Sequence, residues 1–358
     1  MKNTAIALVL LSLAAMSNMA RAADTKVNGR IYSHWMLDQT EGSDDANEFG
    51  ISRAYVTVKS KLSDYTSVRI TTDLKVIDDR YDIILKYAYF DWKPAFAEGR
   101  LKVRFGLQPT LYIDNMNKLW GRRYLAKTVG DARKFLTSSD MGVGAHLGLG
   151  EKSKYGFVSL TVFNGTSYSH VGEVNKQKDF NAVAVLSPLT DNDQLKKSKL
   201  MAQFYTGTQN EETGEVMIDT NLVNVATSDW KRQIVSVGGL LAYNGTVDAG
   251  FDANFTTMGE GYDEEEVKIS GISFFGTLYL DALAQNTPAL RTLNLFGRVD
   301  IYDPNTDMDD DGETEIIAGI ECSPVKGVKA SVNYRTTTFQ DDTEETEKGL
   351  YLNTLVKF

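Results

Sequence analysis

The sequence predicts an all-β chain, a transmembrane antiparallel β-barrel of about 16 strands. Three observations carry this. Alternating stretches of about ten residues cover nearly the whole chain after the N-terminus, and no segment there shows a sustained helical period. The polar faces of these stretches carry charge at mid-strand, as at Arg104, Asp252 and Arg298, which suits a wet interior inside an apolar exterior. The chain also ends on a strand in which Leu350, Leu352, Thr354, Val356 and Phe358 share one face up to the terminal aromatic. A soluble β-sandwich alternates too, so a secreted binding or adhesion module stays open as an alternative.

The elements follow in order. Met1–Lys2, the apolar run Ala5–Ala15 and Ala20-Arg21-Ala22 read as a secretory signal peptide over residues 1–22. Residues 23–358 then form a single barrel domain. The predicted strands are 27–37, 50–62, 65–75, 82–93, 100–107, 139–149, 154–164, 179–187, 198–208, 231–243, 247–258, 267–280, 291–302, 313–323, 327–339 and 347–358. Stretches 247–255 and 293–301 alternate most cleanly. In Lys86-Tyr87-Ala88-Tyr89 the faces cannot be assigned. Short connections such as Leu62-Ser63-Asp64 and Asn244-Gly245 carry turn chemistry. Long ones, 38–49, 165–178, 207–229, 303–312 and 340–346, are acidic. The longest early irregular segment is Gln108–Ser138.

Composition alone suggests a soluble acidic protein. The net charge is −10 and the mean hydropathy −0.27, with 42% hydrophobic residues. These numbers exclude a multi-helix membrane protein, a disordered chain and a nucleic-acid binder that works through net basic charge. Removing residues 1–22 takes away Lys2 and Arg21 and no acid, which moves the charge to −12. Its distribution is uneven. Residues 50–135 hold 17 basic and 9 acidic residues, whereas residues 136–358 hold 17 and 33. A polar lumen and polar loops averaged against a lipid-facing band give low hydropathy without excluding a strand-built membrane protein.

Several motifs in order resemble the phosphate-selective porin O and P family. They are Gly29-Arg30-Ile31, Ile51-Ser52-Arg53-Ala54-Tyr55-Val56-Thr57-Val58-Lys59, Lys86-Tyr87-Ala88-Tyr89, Val103-Arg104-Phe105-Gly106-Leu107-Gln108-Pro109 and Asn164-Gly165. The terminal Phe358 resembles the C-terminal signature of outer-membrane barrels. The likeness spans roughly residues 27–165. It implies a sixteen-stranded homotrimeric porin in a Gram-negative-type outer membrane, exported through its signal peptide and surrounded by lipid. It also implies a loop folded inward after strand 5.

On that reading Gln108–Ser138 narrows the channel and presents Arg122 and Arg123, together with Lys118 and Lys127. A basic wall faces it: Arg53, Lys59, Arg69, Lys75, Arg100, Lys102 and Arg104. The pore-lining set is Arg69, Arg100, Lys102, Arg104, Lys118, Arg122, Arg123 and Lys127. Fixed positive charge in a narrow pore concentrates anions and repels cations, which predicts weak anion preference. Pairing of these cations with Asp73 or Asp91 is the competing reading, and inward Asp248, Asp252 and Asp300 could offset the field.

Asp307-x-Asp309-x-Asp311-Gly312 has the first half of a Ca²⁺-loop pattern, but Ala318 stands where the closing Glu belongs, so a solvated acidic loop is favoured. His34, His146 and His170 sit in no catalytic spacing, and the lone Cys322 allows no internal disulfide. No cofactor is expected. The predicted function is passive diffusion of small hydrophilic or anionic solutes, with a barrel enzyme as the other alternative.

Overall fold

The computed structural model describes residues 24–358 except 44–45, 78–79, 171, 173–174, 210, 212–213, 219, 260, 262–265 and 283–291. The signal peptide expected at 1–22 lies outside the described residues. Sixteen strands close into one antiparallel barrel. They are β1 (Asp24–Asp38), β2 (Asn47–Lys61), β3 (Thr66–Ile77), β4 (Arg80–Trp92), β5 (Leu101–Pro109), β6 (Ser139–Leu149), β7 (Gly156–Phe163), β8 (Asp179–Leu186) and β9 (Lys199–Thr208). After a separate hairpin, β10 (Gly214–Ile218) and β11 (Asn221–Val225), the barrel continues with β12 (Lys231–Tyr243), β13 (Val247–Met258), β14 (Val267–Tyr279), β15 (Leu293–Asp303), β16 (Glu313–Cys322), β17 (Val328–Phe339) and β18 (Glu347–Lys357). Each of the sixteen predicted ranges holds one barrel strand.

Closure comes from β1 pairing with β18, in register from Arg30 opposite Lys357 to Asp38 opposite Gly349. A closed sheet has no unpaired edge, which is what a backbone in hydrocarbon requires. It also overturns the sandwich alternative. Outward positions are apolar along neighbouring strands: Val143, Leu160 and Phe180 on β6–β8, Phe204, Val235 and Phe255 on β9, β12 and β13. Tyr65, Trp92, Phe96, Tyr155, Tyr243 and Phe358 stay exposed at or beside the short turns and form an aromatic rim at the end where β1 begins and β18 finishes. Inward positions are polar and covered, among them Asp73, Arg104, Asp252, Arg298, Asp300 and Glu321.

Two bulges break the alternation. Tyr32 pairs with Arg53 and Ser33 with Ile51, which leaves Ser52 extra on β2. Thr71 pairs with Tyr87 and Thr72 with Leu85, which leaves Lys86 extra on β4. At that bulge Lys86 and Tyr87 are both buried. This is why the stretch defeated a two-residue period.

Two expectations are corrected. The 207–229 connection contains the β10–β11 hairpin, whose five-residue strands are too short to register as alternation among acidic neighbours. The irregular segment after β5 contains two helices, α1 (Leu111–Trp120) and α2 (Val129–Ala132). Helix α1 has a clear apolar face, Tyr112, Ile113, Met116 and Trp120, yet only three turns in which to show it.

Candidate functional site

The segment after β5, loop 3, fills one side of the lumen and leaves the other open. Its anchors are side chains on β13–β17. The Tyr112 hydroxyl donates to Asp252 at 2.8 Å. Arg122 donates to Thr277 at 2.7 Å and to Glu321 at 3.4 Å, and the Tyr124 hydroxyl donates to the other Glu321 oxygen at 2.8 Å. Arg133 pairs with Glu313, and Arg335 donates to the Leu125 carbonyl at 2.7 Å. Glu321 also accepts from Lys329 at 3.1 Å and Asn294 at 3.4 Å, so four donors converge on one buried carboxylate.

Apolar packing sets the distance between loop and wall. Trp120 lies edge-on to Phe275 and Phe296, with ring centroids 5.6 and 6.1 Å apart. A Cβ at Gly238 of β12 would sit 2.8 Å from both the Met116 sulfur and the Tyr112 hydroxyl. Glycine there is what lets α1 reach the wall. Gly121, at φ 69°, ends the helix in the left-handed conformation. Chain direction changes there, and the two adjacent arginines diverge. Arg122 turns into the far wall, while Arg123 donates to Asp131 and to the Tyr55 hydroxyl, each at 3.1 Å, across the lumen.

The open side is a cavity of ≈ 600 Å³ between α1 and the wall β1–β4 and β18. Arg30, Lys59, Arg69, Lys86, Lys118, Arg123 and Lys357 line it, and Asp114 is the one acidic side chain in the lining among the described residues. That carboxylate is bonded to Lys118 at 2.6 Å, one helical turn away. Lys59 stands directly opposite Arg69 across strands, and Arg30 opposite Lys357. Like charges at such positions destabilise a sheet.

Of the predicted lining residues, Arg69, Lys118 and Arg123 line this cavity. Arg122 does not: it is buried under Phe296, 4.5 Å from its guanidinium, and spent on anchoring. Arg104 is inward but neutralised. It makes two bonds to Asp91, at 2.7 and 2.9 Å, and stacks on Tyr89 at 3.9 Å. Lys102, opposite His146, is half-buried on the same wall and outside this cavity. Arg100 is exposed in the turn before β5, at the rim rather than the constriction. Lys127 is half-buried within loop 3. Burial, together with Arg53, Arg123 and Lys75, holds its ammonium below the usual value against the pull of Asp131. Arg53 is paired with Asp73 at 2.8 Å.

The inward acids that could have offset the field face elsewhere. Asp252 accepts from Tyr112, Asp300 from Arg298 and Asp248 from Tyr279 at 2.6 Å. Of the acidic-loop carboxylates, Asp307 pairs with Lys268 at 2.9 Å, and Asp307, Asp309 and Asp311 form no metal-holding group among the described residues.

Arg30, Lys357, Lys86 and Lys59 were missing from the predicted pore-lining set. The first two meet only through barrel closure, the third was hidden by its bulge, and Lys59 had been placed only on the basic wall.

No family model matches the chain, and no curated protein matches it in sequence. Solved structures do. The chain is similar to the outer-membrane expressed OmpT of Vibrio cholerae, at 11% identity over 95% of this chain and 99% of that one, with a TM-score of 0.63. The chain shares the fold of that outer-membrane barrel. It is also similar to the in-vitro folded trimer form of OmpT (12% identity, 94% of this chain and 100% of that one, TM-score 0.60). A third match is an anion-selective porin from Comamonas acidovorans (9% identity, 94% and 100%, TM-score 0.63).

Proposed function

We propose that this chain is an outer-membrane porin that passes small hydrophilic solutes by passive diffusion and favours anions, phosphate among them. The observation that carries the reading is the open cavity, lined by seven cations of which, among the described residues, only Lys118 and Arg123 are paired, with Asp114 and Asp131. Barrel girth limits solute size, loop 3 sets the narrowest point, and the uncompensated wall sets ion preference. The mechanism makes and breaks no covalent bond. The finer likeness to the phosphate-selective porin O and P family rests on the motifs between residues 27 and 165. Export through a signal peptide at 1–22 and assembly as a homotrimer belong to the same proposal, the latter supported by the trimer form of OmpT.

Planar-bilayer recording of the purified protein tests the reading. Stepwise channels with a reversal potential on the anion side are expected in a KCl gradient. Absence of channels would overturn the porin assignment, and a cation-side potential would overturn the anion preference.

A further inference from the structure

The bulge on β4 places Lys86 where three parts of the molecule meet. Its ammonium donates to the Ser138 hydroxyl at the end of loop 3, it lines the channel beside Arg69, and it lies 3.7 Å from the ring centroid of Tyr168. Tyr168 belongs to the connection between β7 and β8. The same ring has Lys75 of β3 at 4.4 Å. Two ammonium groups thus share one aromatic ring. Neither makes an ion pair with a carboxylate among the described residues, and the Tyr168 hydroxyl has no hydrogen-bond partner among them.

Two neighbouring cations with no carboxylate in ion-pair contact repel each other, and a ring quadrupole offsets this only weakly. A carboxylate or phosphate oxygen does so far better, through short charge-assisted hydrogen bonds. The ring therefore occupies a position whose stronger ligand is an oxyanion. We propose that Lys75 and Lys86 form an oxyanion-binding station toward the long-loop mouth of the channel, capped by Tyr168 until a solute anion displaces the ring. This rests on the channel reading above and adds a discrete stop with a built-in competitor. A phosphate or carboxylate solute entering from the long-loop end exchanges with the phenol ring, then passes to Arg69 and Lys59 further along the wall.

The test pairs two readouts. In planar bilayers, inorganic phosphate and acetate are titrated separately, and the half-blocking concentration of the KCl current is measured. Tyr168→Ala removes the competitor and is expected to lower that concentration several-fold. Tyr168→Phe should leave it unchanged, because the hydroxyl has no partner. Lys75→Gln should raise it about tenfold, a loss of one of two ligands. In detergent, the fluorescence of Tyr168→Trp is followed on addition of phosphate, and a saturable shift abolished by Lys75→Gln is expected. Tighter block in none of the variants, or a Trp signal indifferent to phosphate, overturns the station. The fluorescence arm needs no conduction. A saturable shift in a protein that forms no channels would therefore sink the porin reading and keep the station.

Discussion

The ring of Phe358 lies across the outer face of Gly29, in the space where a side chain at residue 29 would stand. The backbones of the two residues exchange hydrogen bonds, Gly29 N–H to the Phe358 carbonyl at 2.9 Å and Phe358 N–H to the Gly29 carbonyl at 3.2 Å. One contact thus joins the first strand to the last residue. Gly29→Ala should displace the ring at a cost of about 1 kcal/mol, and Phe358→Ala should cost a similar amount. Because both remove the same contact, the double variant should be less destabilised than the sum. Thermal unfolding in detergent, read by heat-dependent gel migration, measures the coupling; strict additivity would refute it.

Glu321 is the anchor of loop 3, since two of its four donors, Arg122 and Tyr124, come from that loop. Glu321→Ala leaves the Arg122 guanidinium buried without its carboxylate, a loss of ~3–5 kcal/mol for a broken buried pair. The barrel should still form and the loop should leave its wall. Single-channel conductance is expected to rise and become noisy, with new protease sensitivity at Arg122 and Arg123. Unchanged conductance with an intact loop would contradict this role.

Selectivity should follow the uncompensated cations and ignore the paired one. Lys59→Glu with Arg69→Glu is expected to lower the anion-to-cation permeability ratio roughly tenfold. Arg104→Gln should leave the reversal potential in place while lowering stability by ~3 kcal/mol, because Asp91 loses its partner. A shift of equal size from both changes would place the field elsewhere.

Acid should act on loop 3 late. Burial raises the Asp131 carboxyl, but Arg123, Lys127 and Lys86, with a hydrogen bond from Asn117, hold it below its usual value of 3.8. A depressed carboxylate stabilises the fold above its unfolded value, and the contribution is lost as pH falls through the folded value. The Arg123–Asp131 bridge should therefore stay intact from neutral pH to about pH 4 and open only below, so the part of any acid-induced conductance change that depends on Asp131 should fall below about pH 4. Asp131→Asn should show the low-pH behaviour at pH 7.

The barrel was legible in the sequence because a strand with lipid on one side and water on the other repeats every two residues. Where an extra residue interrupts that period, at Lys86, the pattern could not say which side chains face in. Pairing was legible only as an alternative: Asp91 and Asp73 stood as the competing reading for wall cations, and they hold Arg104 and Arg53. What separates Arg122 from Arg123 was not legible. Adjacent in sequence, they part because α1 docks on one particular wall, and that docking depends on Gly238, Asp252 and Glu321, each more than a hundred residues away. Short elements such as α1 and the β10–β11 hairpin fell below the length at which a period stands out.

The β1–β18 seam also acts as a clock. Neighbouring strands elsewhere join residues within reach of a turn or a loop, but Arg30 must find Lys357. Pairings between such distant parts of a chain are slow to form, because the entropy of bringing them together is lost before any bond is gained. Until that meeting, β1 and β18 remain open edges, each able to pair with the same edge of another molecule. The interval in which this protein can exchange strands or aggregate is therefore set by one rendezvous, and faster closure of that single seam would shorten the whole vulnerable period.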